Sequence, residues 1–139
     1  LKPTLTHSIL VVDNDPAAVA AISARLAANR YLCFTAACGA QGFAQFQAQP
    51  VDLVISDLHM PYGDGVVLAE NIRRVSDVPI ILISGLKDEF RRRLRSVPDV
   101  SFLHKPFPTE DLLRMVAASI ANPRELANRG EHDAGPFNR

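Results

Sequence analysis

The chain contains no tryptophan, only two cysteines and no excess charge of either sign. Fifteen Lys and Arg balance fifteen Asp and Glu, so no global field draws it to nucleic acid or to an anionic membrane. Cys33 and Cys38 are too few for a disulfide framework, and C-x4-C without a nearby histidine or second pair is not a zinc site. They read as two small reduced side chains, as in a cytosolic protein. No apolar run is long enough to span a bilayer and no signal peptide is visible. The expectation is therefore a cytoplasmic chain with no membrane partner. Its first residue is Leu1 rather than Met, which fits a piece excised from something larger. What is present is 139 residues, 47% of them hydrophobic, enough for one domain with a real core.

Strands and helices alternate five times along the sequence. Apolar runs at Ser8–Val12, Tyr31–Thr35, Val51–Ile55, Pro79–Ile83 and Val100–His104 predict strands. Between them, Val19, Ile22 and Leu26 mark one face of a first helix, started by Asp15 as cap and Pro16 at its first position. Phe43 and Phe46 mark the second helix, which Pro50 ends. Leu68 and Ile72 mark the third, entered through Gly63-Asp64-Gly65. Phe90, Leu94 and Val97 line the fourth, and Leu112, Leu113, Val116 and Ile120 the fifth. Strands one, three and four are nearly continuous apolar runs, as when helices cover both sheet faces. Such alternation with short connections predicts a doubly wound α/β domain over residues 1–121. Periodicity alone does not give the strand order. Residues 122–139 hold Pro, Gly, Asn and mixed charge without apolar periodicity, and read as a flexible tail or linker.

Four of the predicted strands end on a polar group. Asp13-Asn14-Asp15 follows the first, Ser56-Asp57 the third, Ser84-Gly85 the fourth, and His104-Lys105-Pro106 closes the fifth. Ligands bind at the carboxyl edge of a parallel sheet, so these groups should converge. Each has a plain structural role as well: Asp15 caps a helix, Ser84 makes a turn, Lys105 is solvated. Two carboxylates meeting at one edge, Asp13 and Asp57, repel unless a cation lies between them. Hard oxygen ligands beside a phosphoryl group point to Mg²⁺. Taken together, a cation and one phosphoryl group suit the set.

The same segments resemble response-regulator receiver domains of two-component signalling, the CheY-like family. The likeness runs from Ser8 to Ile120 and is carried by four segments. They are Ile9-Leu10-Val11-Val12-Asp13-Asn14-Asp15-Pro16; Asp52 to Pro61 with Asp64-Gly65; Ile81-Leu82-Ile83-Ser84-Gly85; and Phe102-Leu103-His104-Lys105-Pro106-Phe107. The resemblance implies a flavodoxin-like fold, a five-stranded parallel sheet of order 2-1-3-4-5 with five helices. It makes Asp57 the phosphoacceptor, taking a phosphoryl group from a phosphohistidine on a sensor histidine kinase or phosphotransfer protein. Mg²⁺ would be held by Asp13, by Asn14, by Asp57 and by the His59 backbone carbonyl. Lys105 would pair with the phosphoryl oxygens, and the Lys105–Pro106 bond is often cis in the family. Ser84 would move to hydrogen-bond the phosphoryl group and let the Phe102 ring turn inward, which makes these two the switch residues. Such a chain is a self-phosphorylating signalling domain with at most slow dephosphorylation, rather than a turnover enzyme.

In one respect the chain departs from the family pattern. Where a second adjacent acid is usual, Asn14 offers an amide oxygen and no charge. His59 and Leu86 occupy the positions that usually tune hydrolysis, and neither is a carboxylate or amide. One alternative is a receiver-like module that binds partners without phosphorylation. Another is a haloacid-dehalogenase-type phosphatase with Asp13 as nucleophile and Asp15 as general acid; it would leave Asp57 unexplained, and Pro16 stands where Thr or Val belongs. No DNA-binding or catalytic output motif is present, so nucleic acid is not an expected partner of this domain. An output domain or partner is expected on the face of the fourth helix, fifth strand and fifth helix. Arg91, Arg92, Arg93 and Arg95 there read first as a solvated helix face.

Overall fold

The computed structural model describes residues 7–61, 65–85, 94 and 97–121. In chain order these form β1 (His7–Val12), α1 (Pro16–Ala28), β2 (Tyr31–Ala36), α2 (Gly39–Ala48) and β3 (Leu53–Asp57), then α3 (Gly65–Val75), β4 (Ile80–Ser84), β5 (Val100–His104) and α4 (Thr109–Ala121). The strands make one parallel sheet of order β2-β1-β3-β4-β5. The described residues hold four helices where five are expected. The expected fourth, lined by Phe90, Leu94 and Val97, falls mostly outside the described residues, as do Gly63, Asp64, Leu86, the four arginines and the segment 122–139.

Strand alternation builds two cores from one sheet. Ile9, Val11, Leu53, Ile55, Ile81, Ile83 and Leu103 face one side and pack with Leu26 of α1 and Leu112, Met115 and Val116 of α4. Leu10, Val12, Val54, Ile80, Leu82 and Phe102 face the other, against Leu68 and Ile72 of α3, with Phe43 and Phe46 of α2 at the margin. β3 and β4 are buried at every residue. Each fully buried Leu or Ile side chain contributes about 1.5–3 kcal/mol relative to exposure, so the three central strands anchor the carboxyl edge where the polar groups sit.

Local chemistry sets the element ends. Asp15 caps α1, its side chain accepting the Ala17 N–H at 3.0 Å, with Pro16 next. Of the expected α1 stripe only Leu26 is fully buried; Val19 and Ile22 are half-buried. β3 starts at Leu53, two residues later than expected, and ends on Asp57. The reason is Asp52, whose carboxylate accepts the Ser8 N–H at 2.9 Å and fixes the approach to the strand. At the same amino edge of the sheet, the half-buried Arg73 guanidinium donates to the carbonyls of Ser76, Val78, Pro98 and Asp99 at 2.8–3.2 Å. It ties the end of α3 to the approaches of β4 and β5. Burial lowers its pKa, against the nearby Asp99 and Asp77.

Candidate functional site

Register brings the four polar groups together as a staircase. Val12 pairs with Ser56, so Asp13, the next residue along β1, lies level with Asp57. Asp57 pairs with Ile83, which puts Ser84 one residue further, and Ser84 pairs with His104, which puts Lys105 one further again. β3 is central, so Asp57 has Asp13 on one side and Ser84 on the other. Asp13, Asp57 and Ser84 are 5%, 6% and 3% exposed. The Lys105 side chain stays 44% exposed and brings its Nζ to 3.6 Å from Asp57 Oδ1. Backbone bonds hold the steps: Leu58 N–H donates to the Ile83 carbonyl at 2.8 Å, and Lys105 N–H to the Ser84 carbonyl at 2.9 Å. The Lys105–Pro106 peptide is cis.

Two nearby contacts shape the carboxylates. Asp13 Oδ1 accepts the Asp15 N–H at 2.9 Å, closing a tight turn around the exposed Asn14. Asp57 Oδ1 accepts the His59 N–H at 3.4 Å, and the His59 residue is exposed. Behind Asp57 the chain passes very close to the start of α3. A Cβ on Gly65 would lie 2.5 Å from the Asp57 carbonyl oxygen and 2.7 Å from Leu58 Cα. The sequence marks Gly65 as a turn residue but does not show that it sits against the acceptor's backbone.

Burial is the chief cause that raises the Asp13 pKa above its ordinary value. The Asp15 N–H opposes the rise, Asp57 adds to it, and Lys105 lowers it. Among the described residues no three His, Cys, Asp or Glu side chains cluster as a metal site, in keeping with an amide at position 14. Even so, two buried carboxylates, one of them shifted toward its neutral form by burial and by the other, fit a hard divalent cation. The linkage has a definite sign. A raised folded pKa means that the folded, metal-free chain holds the Asp13 proton more tightly than the unfolded chain. Stability falls as pH rises from the ordinary carboxylate value through the raised one. Asp13→Asn is therefore expected to stabilise the metal-free domain at neutral pH, with the gain disappearing below the ordinary carboxylate range. Urea unfolding in chelator across that range checks it; a pH-independent difference contradicts it.

The remaining expected residue lies beneath the site. Phe102 is 7% exposed and packs in the cluster with Leu82, Leu94, Val97 and Val100. On the α1 side, a cleft of about 340 Å³ opens between α1 and α4 from Asp13 and Lys105, over Ala18, Ile22, Phe107 and Leu112. No helix among the described residues is long and apolar enough to cross a membrane.

A fold of this order with acids, hydroxyl and lysine at these strand ends defines a class, and comparison with known proteins names it. Residues 9–117 match the response regulator receiver domain, and the chain belongs to that family. Among curated proteins it is 31% identical over 123 residues to a probable transcriptional regulator ycf27 of Guillardia theta, covering 87% of this chain and 48% of that one. It is 30% identical over 131 residues to the DNA-binding dual master transcriptional regulator RpaA of Synechocystis, covering 89% and 53%. The chain thus spans about half the length of these two relatives. Among solved structures, the response regulator TrrA of Thermotoga maritima in complex with Mg(2+)-BeF is similar at 30% identity and TM-score 0.73, covering 81% of this chain and 98% of that one.

Proposed function

We propose that this receiver domain takes a phosphoryl group from a phosphohistidine onto Asp57. The observation that carries the reading is the buried Asp57 carboxylate 3.6 Å from Lys105 and level with Asp13. A carboxylate oxygen attacks phosphorus, the N–P bond to the donor imidazole breaks, and an O–P bond forms. Lys105 would follow the charge from the carboxylate to the new phosphoryl oxygens, and Ser84 would donate a hydrogen bond to one of them. Mg²⁺, held by Asp13, Asp57, the His59 carbonyl and the Asn14 amide oxygen, would neutralise phosphoryl charge when bound. Phosphoryl transfer asks for little beyond such positioning and neutralisation. The donor is a sensor histidine kinase or phosphotransfer protein, and the reaction belongs in the cytoplasm.

The product is a switch. Phosphorylation adds roughly −1.5 to −2 charge beside Ser84, and Ser84 lies two residues along β4 from Leu82, the register partner of Phe102. A shift of Ser84 toward the phosphoryl group would loosen the packing of Phe102 and change the surface around β5 and α4, biasing two existing states. An output domain or partner chain would read that surface. A second reading, a partner-binding module without phosphorylation, is favoured by Asn14 alone.

Beryllofluoride with Mg²⁺, a phosphoryl mimic, separates the two. NMR is expected to show shifts at Asp57 and at Phe102 in the wild type. In Ser84→Ala the shifts at Asp57 should persist while most of those at Phe102 disappear. No change at Asp57 in the wild type would leave the non-phosphorylated module standing, and full Phe102 shifts in Ser84→Ala would remove Ser84 from the switch.

A further inference from the structure

The charges at the site do not balance as two ligands of opposite sign would each prefer. Asp13 and Asp57 supply two buried negative charges, Lys105 supplies one positive charge 3.6 Å from Asp57, and Asn14, exposed in the turn closed by Asp13, supplies none. These three charged side chains sum to one net negative charge, and the exposed Asp15, whose field also acts on Asp13, adds to it. A divalent cation raises the sum over Asp13, Asp57 and Lys105 to one net positive charge. Phosphorylation replaces the Asp57 charge with roughly two charges, so the phosphorylated, cation-loaded site comes out close to neutral. A carboxylate at position 14 would make every one of these states one unit more negative. The free site would hold a cation more firmly, whereas the cation-loaded site would pull less strongly on an incoming anion.

We propose that Asn14 is a specificity-determining residue that trades cation affinity for anion affinity at the acceptor. The inference rests on the receiver reading above and concerns the regulation of that same site. With Asn14, the cation enters weakly, so the site responds to the cation's concentration. Once loaded, the site attracts the phosphoryl group of a donor more strongly than a site with an acid at this position. The residue acts through its missing charge, not through contact with the reacting atoms. The magnitude follows from one unit charge added beside a partly exposed site, on the order of three- to tenfold for each ligand.

Calorimetric titrations on the wild type, Asn14→Asp and Asn14→Ala decide it. Each protein is titrated with Mg²⁺ alone, and then with beryllofluoride at saturating Mg²⁺, at one ionic strength. Asn14→Asp is expected to bind Mg²⁺ more tightly and beryllofluoride more weakly, the two changes having opposite signs. Asn14→Ala, equally uncharged but without the amide oxygen offered to the cation, is expected to bind Mg²⁺ no more tightly than the wild type, in contrast to Asn14→Asp. Equal affinities in wild type and Asn14→Asp, changes of the same sign, or an Asn14→Ala protein that behaves like Asn14→Asp overturn the proposal and leave the receiver reading intact. Failure of all three proteins to bind beryllofluoride overturns both.

Discussion

Gly65→Ala is expected to destabilise the domain by about 1–3 kcal/mol, the usual cost of forcing atoms into a filled space, and to impair the site as well. The added Cβ would lie 2.5 Å from the Asp57 carbonyl oxygen and 2.7 Å from Leu58 Cα, both backbone atoms that no rotamer change can clear. Either α3 must back away from the sheet or the end of β3 must yield. The first opens the buried contacts of Val66, Leu68 and Ile72. The second strains the Gly65 N–H bond to the Leu58 carbonyl, 3.1 Å long, and shifts Asp57 relative to Lys105. Chemical denaturation and beryllofluoride titration on the same variant test both halves. Wild-type stability together with wild-type beryllofluoride affinity would show that the approach of α3 to Asp57 is looser than the structure has it.

Much of the candidate site is legible in the sequence because its members follow apolar runs, Asp13 and Ser84 directly and Asp57 and Lys105 one polar residue later. Asp13 follows Val11-Val12, Ser84 follows Leu82-Ile83, and β5 falls on Val100–His104 as its apolar pattern predicts. In a buried parallel sheet such a run cannot continue into a charged residue without reaching the edge, so the change of polarity locates the strand end. Register then needed only the strand order, which periodicity does not encode and family resemblance supplied. β3 was shifted because Val51 looks like a strand residue, whereas Asp52 is engaged with the Ser8 backbone and the ladder begins after it. Arg73 was invisible for another reason. Its bonds to Pro98 and Asp99 span 25 and 26 positions, and nothing in an arginine near a helix end announces carbonyls so far away. The close approach of Gly65 to Asp57 is likewise a product of tertiary packing, with no local signal beyond a glycine in a turn. Family resemblance marks Phe102, but its burial in one core cluster with Leu94 and Val97 is a product of tertiary packing that a motif does not report.

Asp57→Asn is expected to lose phosphoryl incorporation entirely. The amide is close to the carboxylate in size and keeps an oxygen that accepts the His59 N–H, so the fold should hold. What it loses is the anionic nucleophile and the charge that pairs with Lys105. Asp13 is the other buried carboxylate at the site, but the Asp15 N–H occupies one of its oxygens and burial favours its neutral form, so it is a poor substitute. The same comparison separates this account from a phosphatase built on Asp13, for which loss of Asp57 would matter little. The direct measurement is intact mass after incubation of wild type and Asp57→Asn with a small acyl phosphate in Mg²⁺. The account predicts a gain of one phosphoryl group in the wild type and none in the variant. Equal labelling of the two proteins would contradict it.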